Sequence, residues 1–369
     1  MTTLMQATNE WSNRPADQRF SSLADLLTAT SHYRASAVEA DNVKLDTLKI
    51  VGVDPGTMRF DDGAQAVPAL VSASGQVARF THWSFGQLCK RIGAPAAYLR
   101  ELPTDLVATN MNFGLVKAEP REGGEGDSML FSQNGSLTLR ATLSPIYRRI
   151  WNADVVTRVI ALTEREPAWQ PAPAAFDGSR GLYASDKDMF VFLVDNDRRI
   201  FETLPGGGLG RGFFVKNSEL GDGSFRITTF FYEYICGNHR VWGASGVQEL
   251  RIPHVGNADA KAFGRLAVEL RKYADSSVRE DEMKIEKMRT YSLGATPLEV
   301  IDAVFKLGTS RRVAAQALAI AEKNEDHYGN PRSVWGFTGG LTEIARDLPN
   351  ADARADLEAQ AGKIMKIAF

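Results

Sequence analysis

Two periodicities of hydrophobic positions divide the chain. Between residues 46 and 255 apolar residues mostly alternate with polar ones or form short runs rich in Val, Ile and Phe, which predicts β-strands. Beyond residue 257 they recur every three or four positions, which predicts helices. The pattern therefore predicts an α+β protein in which a mixed, largely antiparallel β-sheet region is followed by an all-helical C-terminal third.

Turn and cap signals sharpen several of these elements. The Asn-Gly pair at 134–135 separates two strand-like runs, and this dipeptide is the strongest short signal for a β-hairpin. Thr81 is a predicted N-cap, and Thr296 with Glu299 has the spacing of a capping box. A further helix is predicted over residues 104–117.

The same pattern suggests three parts of the chain. Residues 1–45 are polar and are predicted to form an N-terminal arm. Residues 46–257 are predicted to form the α+β core domain, and residues 258–369 a helical C-terminal region. The glycine-rich, acidic stretch EPREGGEGD at 119–127 is a loop by composition.

Composition narrows the class of protein without indicating a partner. The 369 residues are 44% hydrophobic, and the net charge is −2, so any nucleic-acid site must be a local basic surface. Two cysteines, Cys89 and Cys236, imply no disulfide framework. The N-terminal sequence lacks the features of a signal peptide, and no apolar run has the length of a transmembrane helix. We therefore expect a cytoplasmic protein that does not contact membranes.

Arginines are interleaved with aromatic residues in two similar segments. SPIYRRIW at 144–151 and DNDRRIFE at 195–202 both contain Arg-Arg-Ile followed by an aromatic residue. Single-strand binding proteins use such a combination, because cations neutralise phosphates and aromatic faces stack on unpaired bases. The alternative is a half-buried strand that directs its rings into the core and its charges into water.

The predicted nucleic-acid site collects the cations on or beside these β segments. Tyr147 and Trp242 are the predicted stacking residues. The predicted phosphate contacts are Arg148, Arg149, Arg198, Arg199, Arg211, Lys216 and Arg240.

Two further motifs have competing interpretations. PGGGLGRG at 205–212 is neither a Walker A loop nor a dinucleotide fingerprint, and it is either a hairpin loop or a backbone-rich loop that a polyanion approaches beside Arg211. Residues 300–319 resemble a helix-turn-helix, with Gly308 at the turn and Arg311 and Arg312 opening the second helix. An ordinary αα-hairpin explains this second pattern as well.

Candidate chemistry is confined to FFYEYICGNHRVWG at 230–243 and its neighbourhood. Cys236 and His239 have the spacing of metal ligands or of a thiolate–imidazole pair, but only His254 is near in sequence, and zinc needs three or four ligands. Cys236 continues an apolar strand, where a cysteine is usually buried and inert. We predict a strand, a turn and a strand here, with no catalytic residue, no metal and no cofactor.

Several motifs together resemble a known family. They include LRATLSPIYRRIWNADVV, DMFVFLVDN, PRSVWGFTGGLTEIARDL and, most specifically, the run from Asn217-Ser218-Glu219 to Cys236-Gly237-Asn238. In these motifs the chain resembles a phage- and plasmid-like family of unknown function, over about residues 80–365. The resemblance implies a role in the DNA metabolism of phages, prophages and conjugative plasmids.

These observations give one leading function and two alternatives. We expect a DNA-binding protein without catalysis, with single-stranded DNA as the preferred ligand in recombination or annealing. Annealing proteins act as rings or filaments, so we expect a homo-oligomer. The first alternative is an interaction module that modulates a host defence or restriction complex, with a host protein as its partner. The second is a nucleic-acid-processing enzyme that uses Cys236, His239 and His254.

Overall fold

The described residues form two six-stranded sheets and a C-terminal set of helices, which confirms the predicted α+β class. The computed structural model describes residues 18–63, 65–121, 126–171, 181–185, 187–200, 209–233, 250–275, 277–347, 357 and 360–369. The strands are β1 (Ala37–Val43), β2 (Lys49–Val53), β3 (Val67–Val71), β4 (Val77–Phe80), β5 (Asp127–Asn134), β6 (Ser136–Leu143), β7 (Trp169–Pro171), β8 (Leu182–Ala184), β9 (Met189–Ile200), β10 (Leu209–Asn217), β11 (Phe225–Glu233) and β12 (Leu250–Ile252). The helices are α1 (Leu23–Ala35), α2 (His82–Arg91), α3 (Ala96–Leu99), α4 (Thr104–Lys117), α5 (Asn152–Arg165), α6 (Ala258–Asp275), α7 (Val278–Thr290), α8 (Pro297–Phe305), α9 (Arg311–Lys323), α10 (Glu325–Tyr328) and α11 (Val334–Asp347).

The first sheet has the strand order β1-β5-β6-β4-β3-β2, and only the β4–β6 pair is parallel. Strands β5 and β6 form the predicted hairpin, and its turn residue Gly135 has φ +75°, which glycine adopts without strain. Helices α2 and α4 cover the sheet with Leu88, Met111 and their apolar neighbours.

The predicted N-terminal arm needs correction. Strand β1 pairs with β5, and α1 packs against α5, so residues 23–43 belong to the folded unit. The polar character of this segment reflects its position: β1 is an edge strand, and most of its side chains are exposed or half-buried. A boundary at residue 45 therefore separates an edge strand from its own sheet.

The second sheet has the order β12-β11-β10-β9-β7, and β8 also pairs with β9. All its pairs are antiparallel, so the prediction of a largely antiparallel sheet region holds for both sheets. One apolar core joins this sheet to the C-terminal helices, with Phe213, Val215, Leu266 and Trp335 among its members. The predicted boundary at 257–258 therefore crosses a shared core.

Cap residues begin the helices where the sequence predicted. Thr81 caps α2, and its hydroxyl accepts the backbone N–H of Ser84. Thr296 and Glu299 form the predicted capping box at the start of α8. Each cap satisfies backbone donors that the first helical turn leaves open. Of the helices described, none is both long and apolar enough to cross a membrane.

Candidate nucleic-acid interface

The segment SPIYRRIW is the link between the two sheets. It leaves the end of β6 and leads directly into α5. Midway, Tyr147 forms a β-bridge with Val255, and the backbone N–H of Arg148 donates to the carbonyl of His254 at 2.8 Å. Because His254 lies shortly before α6, helices α5 and α6 both begin at this link.

A buried polar cluster holds this link in place. We call Arg140, Arg149, Asn152, Asn217 and Glu219 the Glu219 cluster. Glu219 Oε1 accepts the backbone N–H of Asn152 at 2.7 Å, at the first turn of α5, where a carboxylate is favoured by the helix dipole. The Asn217 amide donates to the carbonyl of Ile150 and to Asn152 Oδ1, both at 2.7 Å. The Asn-Ser-Glu motif thus positions the start of α5.

Burial dominates the electrostatics of Glu219. Its carboxylate is 2% exposed, and an Arg140 Nη2 atom lies 3.9 Å from Oε2. Burial raises the pKa of Glu219, although the nearby Arg140 and Arg149 act in the opposite direction. The ionisation of Glu219 in this buried cluster therefore depends on the neighbouring arginines.

Arg149 belongs to this cluster and not to an open phosphate site. Its Nε lies 2.8 Å from Glu39 Oε1, and its Nη1 donates to the carbonyl of Glu219. Its guanidinium also lies over the rings of Tyr147 and Trp151, at 5.9 and 5.3 Å from their centroids. The side chain is only 7% exposed, so it makes its hydrogen bonds and ring contacts within the protein and not with an external phosphate.

Two further predicted phosphate contacts are buried, and the prediction needs correction for both. Arg211 is fully buried within β10 and donates from Nη2 to the carbonyl of Tyr273 at 2.7 Å. Lys216 Nζ lies 3.1 Å from the buried carboxylate of Asp188. Both side chains project into the interior from a central strand of the second sheet, where a phosphate of a nucleic-acid backbone cannot reach them.

The predicted stacking residue Tyr147 is also engaged. Its hydroxyl donates to the carbonyl of Ser218 at 2.7 Å, and burial raises its pKa. One face of the ring is stacked on His254, with centroids 4.9 Å apart and planes at 9°. Burial lowers the pKa of His254 to about 4, so this imidazole is neutral at pH 7.

Of the remaining predicted residues, only Arg148 is described in full. It is exposed, and its Nη1 has just two long hydrogen bonds, to the carbonyls of Pro145 at 3.4 Å and Tyr147 at 3.3 Å. Arg198 and Arg199 lie in β9, but their side chains are outside the described part of the structure. The residues outside the described ranges altogether are Cys236, His239, Arg240 and Trp242, together with residues 205–208 of the glycine-rich loop.

The helix-turn-helix pattern corresponds to α8 and α9. Arg311 forms an ion pair with Asp302 of α8 and lies over the ring of Phe305, 4.7 Å from its centroid. This arginine therefore connects the two helices, while its neighbour Arg312 is exposed. Among the described residues, no group of three or more His, Cys, Asp or Glu side chains has the arrangement of a metal site.

A groove that sequence reasoning missed runs between α5 and α6. Its volume is about 120 Å³, and we call it the α5–α6 groove. Apolar side chains form its floor, including Leu162, Leu270 and the half-buried ring of Phe263. Its charged lining residues are Arg158, Arg165, Glu166 and Arg271.

The three arginines of the groove are exposed. Within the described residues, no carboxylate oxygen lies within 4.0 Å of the Arg158, Arg165 or Arg271 guanidinium. Arg158 does contact the floor, with its guanidinium 5.4 Å from the centroid of the Phe263 ring. Three exposed arginines, with the acid Glu166 beside them, surround an apolar, partly aromatic floor. Such a surface is suited to an anionic ligand with flat apolar groups.

Helical spacing was the signal for this surface. Arg158 and Arg165 are seven residues apart in α5, and two helical turns bring them to one face. Arg271 follows Leu270, a buried residue of the second helix, α6. No pattern in the sequence indicates that these two helices lie side by side.

Comparison of the chain with protein-family models, with curated proteins and with solved structures gives no match. The resemblance to the phage- and plasmid-like family therefore stays a prediction, and the functional argument depends on the geometry of the groove.

Proposed function

We propose that the protein binds single-stranded nucleic acid, without catalysing a reaction on it, through the α5–α6 groove. The observation that supports this proposal is the set of three exposed arginines, Arg158, Arg165 and Arg271, with no acid within 4.0 Å among the described residues. Each guanidinium offers a planar set of N–H donors that matches a phosphate.

The floor of the groove favours a single strand over a duplex. Phe263 and Leu162 form an apolar surface between the cations, and the bases of a single strand have free faces that pack on such a surface. A duplex keeps its bases stacked inside and offers the groove only phosphates.

The small net charge fits a local site of this kind. At −2 overall, the chain has no general attraction for polyanions, so binding must come from the groove itself. The resemblance to a phage- and plasmid-like family supports a role in the DNA metabolism of mobile elements, such as recombination or annealing. We propose DNA as the ligand on that ground.

Titration of a labelled oligothymidylate, followed by fluorescence anisotropy, tests the proposal. We expect the variant with Arg158, Arg165 and Arg271 all replaced by Gln to bind at least about tenfold more weakly, because three phosphate contacts are lost. The slope of log K against log salt should also fall by about 2, at roughly 0.7 per contact with a single strand.

A matched control removes the same number of charges from the other side of α6. Lys261, Arg265 and Lys272 are exposed, and the helix repeat places them away from the groove. Replacing these three by Gln should leave affinity and salt slope nearly unchanged. Equal losses in the two triple variants would contradict the groove as the site, and absence of binding by the unaltered protein at low salt would contradict the proposed function.

A further inference from the structure

A pocket opens at the end of the first sheet where β3 begins and β4 ends. Its volume is about 430 Å³, which lies within the roughly 300–1,000 Å³ of typical small-molecule sites. Helices α2, α3 and α4 complete its walls. We call it the β3–β4 pocket, and its lining includes Val67, Arg79, Phe80, Phe85, Leu99 and Arg100.

The walls of this pocket are mainly apolar. The rings of Phe80 and Phe85 pack edge to face, with centroids 5.6 Å apart and planes at 87°, and form an aromatic wall. Val67 and Leu99 add aliphatic surface. A ligand in the pocket therefore buries its body against hydrocarbon, with few partners for polar groups on that body.

Arg79 supplies one positive charge to the pocket. This residue of β4 is half-buried, and its Nε donates to Met58 Sδ and its Nη2 to the carbonyl of Pro55. Both acceptors are neutral, and a thioether sulfur is a weak acceptor. Because a cation that is partly withdrawn from water gains more from an opposite charge than a fully solvated one does, this guanidinium favours an anionic ligand.

Arg100 supplies a second positive charge, from the residue that follows α3. Its Nη2 donates to the carbonyl of His82 at 2.9 Å, and its guanidinium lies 5.2 Å from the centroid of the Phe85 ring. Among the described residues, no acid lines the pocket, and no carboxylate oxygen lies within 4.0 Å of the guanidinium of Arg79 or Arg100. The pocket thus combines two guanidinium groups with an apolar wall.

We propose that the β3–β4 pocket binds a small organic anion that carries one carboxylate on a flat apolar body. The carboxylate accepts hydrogen bonds from Arg79 and Arg100, and the body packs on Phe80 and Phe85. Hydrogen bonds between arginine and carboxylate are charge-assisted and directional, so they fix the orientation of the ligand. This site is separate from the α5–α6 groove, since the two share no lining residue.

An aromatic carboxylate suits the pocket better than a nucleotide does. Each guanidinium already uses part of its N–H donors on a carbonyl, that of Pro55 or that of His82. The donors that remain match the two oxygens of a carboxylate, whereas a phosphate brings three acceptor oxygens and a sugar adds hydroxyl groups. Among the described lining residues, Thr81 and His82 are the only other polar side chains, so a sugar and a base edge find few partners.

Isothermal titration calorimetry of the full chain with 2-naphthoate tests the proposal. We expect a Kd below about 1 mM, in keeping with the small size of this probe. The neutral 2-naphthylmethanol has the same rings and should bind at least about tenfold more weakly, because it lacks the charge-assisted hydrogen bonds. Absence of naphthoate binding, or equal affinity for the acid and the alcohol, would overturn the proposal. Tighter binding of thymidine 5′-monophosphate than of 2-naphthoate would overturn the choice of a carboxylate on an apolar body.

Substitution of the two arginines locates the site. Arg79→Gln and Arg100→Gln should each weaken binding of 2-naphthoate about fivefold to tenfold and reduce its preference over the alcohol. Arg100 is exposed, so its variant should keep the fold even if Arg79→Gln disturbs the segment at Pro55. Lys90→Gln, at the other end of α2, is the matched control and should change neither affinity nor preference. Arginine variants that keep the full preference for the acid would contradict the proposal.

The groove variant separates this site from the proposed nucleic-acid site. With Arg158, Arg165 and Arg271 replaced by Gln, the protein should bind 2-naphthoate as tightly as the unaltered protein does. The Arg79 and Arg100 variants should in turn bind oligothymidylate normally. Loss of naphthoate binding in the groove variant alone would place the probe in the α5–α6 groove and overturn the β3–β4 pocket as its site.

Discussion

The Glu219 cluster, at the start of α5, and the α5–α6 groove, further along the same helix, differ in the environment of their arginines. In the cluster, Arg149 is paired with Glu39, and Arg140 lies 3.9 Å from Glu219 Oε2. In the groove, Arg158 and its two companions have no acid within 4.0 Å among the described residues. Cations of the first kind hold the fold together, and only those of the second kind are available to an external anion.

Burial explains the difference. A cation inside the protein is costly unless an acid or a set of carbonyls compensates it, so the interior selects matched pairs. An exposed cation is solvated by water and can remain without a partner until an anion arrives. The comparison therefore predicts that changes to the cluster reduce stability, whereas changes to the groove reduce binding.

Removal of the Glu219 carboxylate should have the largest effect. Glu219→Ala deletes the acceptor for the Asn152 N–H and leaves Arg140 without its buried acid. We expect the free energy of unfolding to fall by about 3–5 kcal/mol, measured by urea denaturation at pH 7. Asp302→Ala is the control, because this acid and its partner Arg311 are both exposed, and it should cost less than about 1 kcal/mol. Equal losses from the two substitutions would contradict a special role of burial.

The imidazole of His254 should produce the next largest effect, as a dependence of stability on pH. Its folded pKa of about 4 lies below the ordinary value of 6.5, because burial disfavours the charged form. Between these values the unfolded chain binds a proton that the folded chain does not. The stability that the neutral imidazole contributes is therefore fully present above pH 6.5. The free energy of unfolding then decreases as the pH falls toward 4, by about 3 kcal/mol in total.

Comparison with His254→Gln isolates this contribution from that of other titrating groups. The variant should lose less stability than the unaltered protein between pH 6.5 and pH 4 in urea denaturation. A His254 variant with the pH profile of the unaltered protein would show that the imidazole is solvated.

Much of the fold could be predicted because its signals are local. The hairpin at Gly135 and the capping box at Thr296 each depend on a few adjacent residues, and the periodicities distinguish strands from helices. The polar arm was a wrong prediction for the opposite reason. Strand β1 is polar because it is an edge, and its pairing with β5, some 90 residues later, has no local signal.

The site was harder to predict, because the same residue types serve both regions. Arg-Arg-Ile-Trp indicates a basic, aromatic segment, but only tertiary structure determines which arginine is buried against an acid. The alternation of strand β10 placed Arg211 inside, as the competing interpretation of a half-buried strand allows. The groove arginines come from two helices separated by about 90 residues of chain.

The adjacent pair Arg148 and Arg149 gives the smallest effect and the sharpest test of the comparison. Arg149→Gln should cost about 1–3 kcal/mol of stability, because it leaves the Glu219 carbonyl and Glu39 without their donor. Arg148→Gln should change stability by less than about 0.5 kcal/mol, since the side chain is exposed. Its effect on oligothymidylate binding should not exceed about twofold to threefold, because Arg148 is a single exposed cation at the link, outside the residues that line the groove. Urea denaturation and anisotropy on the two variants measure both quantities. If Arg148→Gln lost stability and Arg149→Gln lost only binding, the assignment of buried cations to the fold and exposed cations to the ligand would be reversed at this link.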